Sequence, residues 1–148
     1  MEEEGSPPFA EHAGASGFPC LGIAEVVDLT GISAFTIRYY DKCGFFPGLA
    51  RDRRGVRTFS HADAAQLRFV DALRKSGLSI EGIQYYVRLQ RRGIVSRDER
   101  LSVVRTQEAA LEYQIAELEE CLGRLRAAEA GLSRDEGSQE LPVGSVAL

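Results

Sequence analysis

Apolar positions along the chain change their spacing several times, and each change marks an element. The stretch IAEVVDLTG carries apolar residues at 23, 26, 27 and 29 and stops at Gly31, the spacing of a two-turn helix with one buried stripe. Ser33 follows, whose hydroxyl suits it to accept from a free N–H of a first helical turn, and AFTIRYYDKC then predicts a second helix closing at Gly44. Beyond Pro47 and Gly48 the helical spacing ends. Gly55 and the β-formers Val56, Thr58 and Phe59 predict a small hairpin. Ser60 and Asp63 open a helix through about Ser76 with Ala64, Leu67, Val70 and Leu73 on its inner face, and Gly77 closes it. Ser79 opens another to about Arg92, with Ile80, Ile83, Tyr86 and Val87 inward and Gly93 at its end.

The last pattern is the longest. Ser96 and Glu99 read as a capping box, and the helix they open runs without proline to about Ala130. Val104, Leu111, Leu118, Leu125 and Leu132 recur every seven residues, with Leu101, Ile115 and Leu122 interleaved, which is a heptad seam. Glu108 interrupts it, and Gly123 lowers helix propensity by about 1 kcal/mol relative to Ala. At about 1.5 Å per residue the helix is roughly 50 Å long, too long to be covered by the small domain before it. Its stripe needs a partner, and a second copy of the chain is the simplest one.

Two short helices joined by a three-residue turn, then an arginine-bearing hairpin, match a winged helix-turn-helix. The expected fold is mainly α. A disordered lead (1–19) precedes the winged helix-turn-helix domain (20–93), a coiled-coil dimerisation helix (94–132) and a flexible tail (133–148).

Charge changes the picture only when it is divided along the chain. The net charge of −4 speaks against nucleic acid, yet residues 18–92 carry 12 Lys or Arg against 7 Asp or Glu, while both flanks are acidic. Four of those bases, Arg51, Arg53, Arg54 and Arg57, fall on the hairpin. The second helix adds Thr36, Arg38, Tyr39 and Lys42 behind Ala34 and Phe35. Taken alone, that helix reads as a core pair of tyrosines beside a surface arginine. The adjacent basic hairpin reverses the reading, because a second cationic element supplies phosphate contacts on the flank of a groove-seated helix. Arg38 suits a bidentate contact to phosphate or guanine, Phe35 a thymine methyl group, and Tyr39 a phosphate.

Cys20, Cys43 and Cys121 are odd in number and widely spaced, with no CxxC pair and no neighbouring His, so no metal or other cofactor is expected and a reducing, cytoplasmic setting fits. The acidic lead lacks the basic region and apolar run of a signal peptide, and no stretch approaches the roughly 20 apolar residues of a membrane span. His12 and His61 find no nucleophile to activate, and no glycine-rich phosphate loop is present; the chain reads as no enzyme.

The stretches IAEVVDLTGISAFTIRYYDKCGFFP and RGVRTFSHADAAQLRFVDALRKSGLSIEGI, followed by the long coil, resemble the MerR family of bacterial transcriptional regulators. The resemblance implies that Thr36, Arg38, Tyr39 and the hairpin arginines contact the DNA backbone and that Tyr40 packs inward. It implies dimers joined by an antiparallel coiled coil, seated between the −35 and −10 elements of a promoter with a long spacer, which they bend and untwist so that RNA polymerase engages both. The paired or clustered cysteines of metal-sensing and iron–sulfur members are not found beyond Cys121, and the tail is too short for a drug-binding domain. The chain is most similar to the short branch that answers aldehydes and other thiol-reactive electrophiles. That branch often has a cysteine in the helix spelled here FVDALR, where this chain has Ala72. Cys43, beside Lys42 at the end of the recognition helix, and Cys121, next to a seam leucine, are the two candidate thiol sensors.

Two other functions fit parts of the pattern. An architectural, excisionase-like protein bends DNA with the same winged fold but usually lacks so long a coil. A pure interaction protein uses the coil alone and has no DNA affinity at physiological salt.

Overall fold

A computed structural model describes residues 20–138. The expected disordered lead and the last ten residues of the expected tail lie outside the described residues. The elements are helix α1 (Ile23–Thr30), helix α2 (Ala34–Lys42), strands β1 (Ala50–Arg51) and β2 (Arg57–Thr58), helices α3 (His61–Lys75) and α4 (Ile80–Arg91), a 3-10 turn (Gly93–Ser96) and helix α5 (Arg97–Ser138). The chain divides into two compact units, one ending at Glu108 and one beginning at Ala109.

Local chemistry sets the helix ends of the first unit. Gly31 closes α1 in the left-handed conformation (φ 72°), where its N–H reaches the Val27 carbonyl, a geometry that costs a side-chain-bearing residue. Ser33 caps α2 by accepting from the Thr36 N–H at 3.1 Å. Ser60 and Asp63 form a full capping box on α3, and Ser79 accepts from the Gly82 N–H on α4. The four apolar positions expected inside α3 are all buried.

One core collects the buried faces. Val26 of α1, Ile37 of α2, Leu67 and Val70 of α3 and Ile83 of α4 meet Phe45 and Phe59 from the connecting segments, and all seven are fully enclosed. Burying side chains of this size contributes roughly 1.5–3 kcal/mol each. Leu21 and Phe59 exchange backbone hydrogen bonds of 2.7 and 2.9 Å, which ties the segment before α1 to the end of the hairpin. Among the described residues no helix is long and apolar enough to cross a membrane.

The start of α5 differs from the expected capping box. Ser96 is fully buried in the 3-10 turn, its hydroxyl within reach of the Leu89 carbonyl (2.5 Å) and the Gly93 carbonyl (2.8 Å), while it accepts from Arg100 Nε at 3.1 Å. Glu99 turns instead to the Tyr85 hydroxyl, 2.9 Å away, and that bond holds the Tyr85 phenol pKa above its ordinary value. The carbonyls of Leu89 near the end of α4 and of Gly93 in the 3-10 turn engage the serine in place of the local box. Two further differences concern the ends of the coil. Val103 and Val104 are half-buried against the core of their own unit, so Val104 is not a free seam residue. Residues 133–138, expected in the tail, continue α5.

In the second unit the seam has no cover. Leu111, Ile115, Leu118, Leu122, Leu125 and Leu132 are all exposed, Leu118 at 68 %. In the first unit Leu101 is exposed as well, and so are Ile94 (80 %) and Val95 (72 %) in the 3-10 turn.

Candidate nucleic-acid interface

Helix α2 is divided lengthwise. Ile37 and Tyr40 point into the core, while Phe35, Arg38, Tyr39 and Lys42, spaced i, i+3, i+4 and i+7, are exposed. Ala34 and Thr36 are half-buried beside the cap, and the Thr36 hydroxyl accepts from Ser33 Oγ at 3.0 Å. Phe35 is 80 % exposed, an apolar ring at the head of a cationic stripe. The Tyr39 phenol pKa is raised above its ordinary value, chiefly by the thiol of Cys43 one turn along.

Three long-range anchors hold this helix. The Tyr40 hydroxyl donates to Asp71 Oδ1 of α3 at 3.0 Å, and Lys75 sits 2.8 Å from the other oxygen of the same carboxylate. Burial first, and then the hydrogen bond to Asp71, push the Tyr40 pKa up to about 12. Gln84 of α4 donates to the Cys43 carbonyl at 2.9 Å. Asp41 receives the hairpin: Arg57 Nε donates to its Oδ2 at 2.6 Å, and Arg51 Nη2 lies 3.6 Å away.

The four hairpin arginines therefore split into two pairs. Arg57 is largely buried against Asp41, and Arg51 also donates to the Gly55 carbonyl at 2.9 Å, so both hold the wing in place. Arg53 and Arg54 occupy the tip. The Asp52 carboxylate shapes that tip by accepting the N–H groups of Arg54 (2.8 Å) and Val56 (3.0 Å), and Gly55 supplies the positive φ of 78°. Arg54 keeps a loose 3.8 Å pairing with Asp52 and stays solvent-facing; Arg53 is exposed and, like Arg38 and Lys42, makes no ion pair in the described structure. Asp41, Asp71 and Gln84 gave no local signal in the sequence, because each acts on a residue distant along the chain or on another element.

Cys43 is half-buried, while Cys20 and Cys121 are exposed; all three are free thiols. Ala72 is exposed on α3. Among the described residues no group of three or more His, Cys, Asp or Glu is placed to hold a metal ion.

A helix presenting unpaired cations and an aromatic ring beside a pinned, arginine-tipped hairpin defines a winged helix-turn-helix DNA-binding domain. Residues 21–90 match a family model described as MerR HTH family regulatory protein. An uncharacterized HTH-type transcriptional regulator of Haemophilus influenzae is 35% identical over 69% of this chain and 76% of its own length. The regulator AdhR of Bacillus subtilis is 35% identical over 47% of this chain and 49% of its own. Among solved structures, that of HiNmlR, a MerR family regulator lacking the sensor domain and bound to promoter DNA, superposes with a TM-score of 0.72 at 31% identity, covering 80% of this chain and 94% of that one. The chain belongs to the MerR family of transcriptional regulators.

Proposed function

We propose that the protein regulates transcription as a cytoplasmic homodimer seated on a promoter spacer, which it bends and untwists to set how RNA polymerase meets the −35 and −10 elements. The exposed face of α2 carries this reading. Phe35, Arg38, Tyr39 and Lys42 point outward together, while Asp41 on the flank of the same helix pins the wing whose tip holds Arg53 and Arg54. Arg38, Lys42, Arg53 and Arg54 take phosphates or a guanine edge, and Phe35 and Ala34 meet base edges in the major groove. The DNA-bound HiNmlR structure supports a promoter partner for a chain of this architecture. The exposed seam from Leu101 to Leu132 supports the second copy.

The signal belongs to this proposal only in outline. Ala72 leaves no thiol on α3, so Cys43 is the thiol whose modification reaches the DNA-facing helix directly, from its place as the C-cap of α2.

The test is fluorescence anisotropy of the reduced protein on the duplex upstream of its own gene, against a scrambled duplex of equal length, over a range of salt. Selective binding with a steep salt slope is expected. Equal binding to both duplexes makes the protein architectural, and absence of binding at physiological salt makes the coil its working surface. Alkylation of Cys43 that leaves the affinity unchanged removes the thiol from the scheme.

A further inference from the structure

The turn that leads into α2 carries three hydroxyls spaced three residues apart, those of Thr30, Ser33 and Thr36. Thr30 donates to the Val26 carbonyl at 2.7 Å and accepts the Ile32 N–H at 3.2 Å, while Arg68 of α3 donates to the Leu29 carbonyl. The turn is therefore held before α2 begins. Ser33 then makes two bonds to one residue: it accepts the Thr36 N–H at 3.1 Å and donates its own proton to Thr36 Oγ1 at 3.0 Å. The first bond is the cap of α2. The second satisfies no backbone group, so the helix does not require it.

Thr36 keeps a proton of its own to give. Two other helical threonines, Thr30 and Thr106, direct theirs to the carbonyl four residues back, whereas Thr36 donates to no group among the described residues. Resting on the DNA-binding reading, we infer that Ser33 is a positioning residue for DNA recognition. Its proton occupies the acceptor side of the Thr36 hydroxyl and makes Thr36 a one-way donor to a DNA phosphate on the flank of α2 away from the wing.

Helix geometry selects the flank. At about 100° per residue, Thr36 lies on one side of the outward stripe of Phe35, Arg38, Tyr39 and Lys42, and Asp41, which holds the wing, lies on the other. A helix seated in the major groove has a strand of backbone on each side. The wing arginines serve one of them. Residues 34–37 carry no charge, so a neutral donor serves the other.

The bond from Ser33 improves that donor in two ways. A freely turning hydroxyl loses rotational freedom on binding, and Ser33 removes part of that freedom beforehand. A hydroxyl that accepts a hydrogen bond is also polarised into a stronger donor, by about 10–30% per bond. Ser33 has no second proton, so a direct contact of its own with phosphate breaks the bond to Thr36.

A double-mutant cycle tests the relay, read by anisotropy of the reduced full-length protein on the duplex upstream of its own gene. Thr36→Val keeps the side-chain shape without the hydroxyl and is expected to weaken binding about tenfold over the two half-sites. Ser33→Gly, which retains most of the capping, is expected to weaken it about threefold in the wild-type background and not at all in the Thr36→Val background. Ser33→Thr supplies the same proton and is expected to bind like wild type. None of these changes should alter the salt slope, because none removes a charge. An equal loss from Ser33→Gly in both backgrounds overturns the proposal, since Ser33 then acts only as a cap or touches DNA itself. Thr36→Val that binds like wild type also overturns it, while a lowered salt slope for Arg38→Ala keeps the DNA-binding reading standing. A wild-type chain that binds no duplex removes both. Circular dichroism of each variant separates loss of contact from loss of helix.

Discussion

Phe35 is a large ring held out in solvent at the head of the recognition helix, and Arg38 and Lys42 lie on the same face. Its chemistry predicts a readout of thymine methyl groups, and deoxyuridine deletes that methyl group while leaving base pairing intact. Replacing the contacted thymine by deoxyuridine is expected to weaken wild-type binding about fourfold, the loss of roughly 0.8 kcal/mol for one buried carbon, and to leave Phe35→Ala unaffected. Anisotropy on the paired duplexes measures both. Arg38→Ala and Arg54→Ala are each expected to lower the salt slope by about 1.8, one phosphate from each protomer of the dimer. Arg57→Ala is expected to act through the wing's position instead. Tyr40 gives a pH test. Its pKa is raised to about 12 in the folded chain from an ordinary value of 10.0, so the protonated phenol is favoured by folding. The advantage of wild type over Tyr40→Phe is then fully present below pH 10 and is lost as pH rises to about 12. Urea midpoints of the two proteins across that interval should converge; a constant gap would show that folding does not raise the phenol's pKa.

At the scale of elements, the wing is fastened to the recognition helix by one carboxylate. Asp41→Asn removes a negative charge from a surface proposed to face DNA, and bulk electrostatics alone predicts tighter binding. The contacts of Arg57 and Arg51 predict the opposite: a looser hairpin and about fivefold weaker binding, with helix content unchanged. The sign of the change in anisotropy decides between them. Helix starts and stops were legible in the sequence because serine caps and closing glycines act within a few residues. The inner faces of α3 and α4 were legible because burial follows the helical period. Asp41, Asp71 and Gln84 were not, since each bonds a residue brought near only by the finished fold. Ser96 was misread for the same reason. Its local pattern matches a capping box, and the carbonyl of Leu89, seven residues back and brought to it by the turn after α4, claims the hydroxyl together with that of Gly93.

At the scale of the whole molecule, the heptad seam predicts that Leu118→Glu abolishes dimerisation at micromolar concentration and lowers operator affinity by two orders of magnitude or more, through loss of the second half-site. Sedimentation and anisotropy on one preparation check the two effects together. A dimeric Leu118→Glu protein would remove the coil from the assembly. The seam was legible over most of its length because a seven-residue period survives one or two substitutions. Its edge was not: Val104 shares the period yet turns partly into its own core, and Ile94, one heptad before Leu101, stands exposed in the 3-10 turn ahead of the helix. Family membership was legible from TIRYY and the flanking glycines, which belong to the structural frame of the DNA-binding domain, whereas nothing comparable marks the signal.

The anchorage of the wing on Asp41 also bears on how this protein could be retargeted. Transplanting a recognition helix from a relative would carry away the carboxylate on which Arg57 and Arg51 rest, unless the donor has an acid at the same place. New operators are therefore reached more safely by editing the outward stripe of α2 at 35, 38, 39 and 42 than by exchanging the helix whole, with residues 41, 51 and 57 inherited as one block.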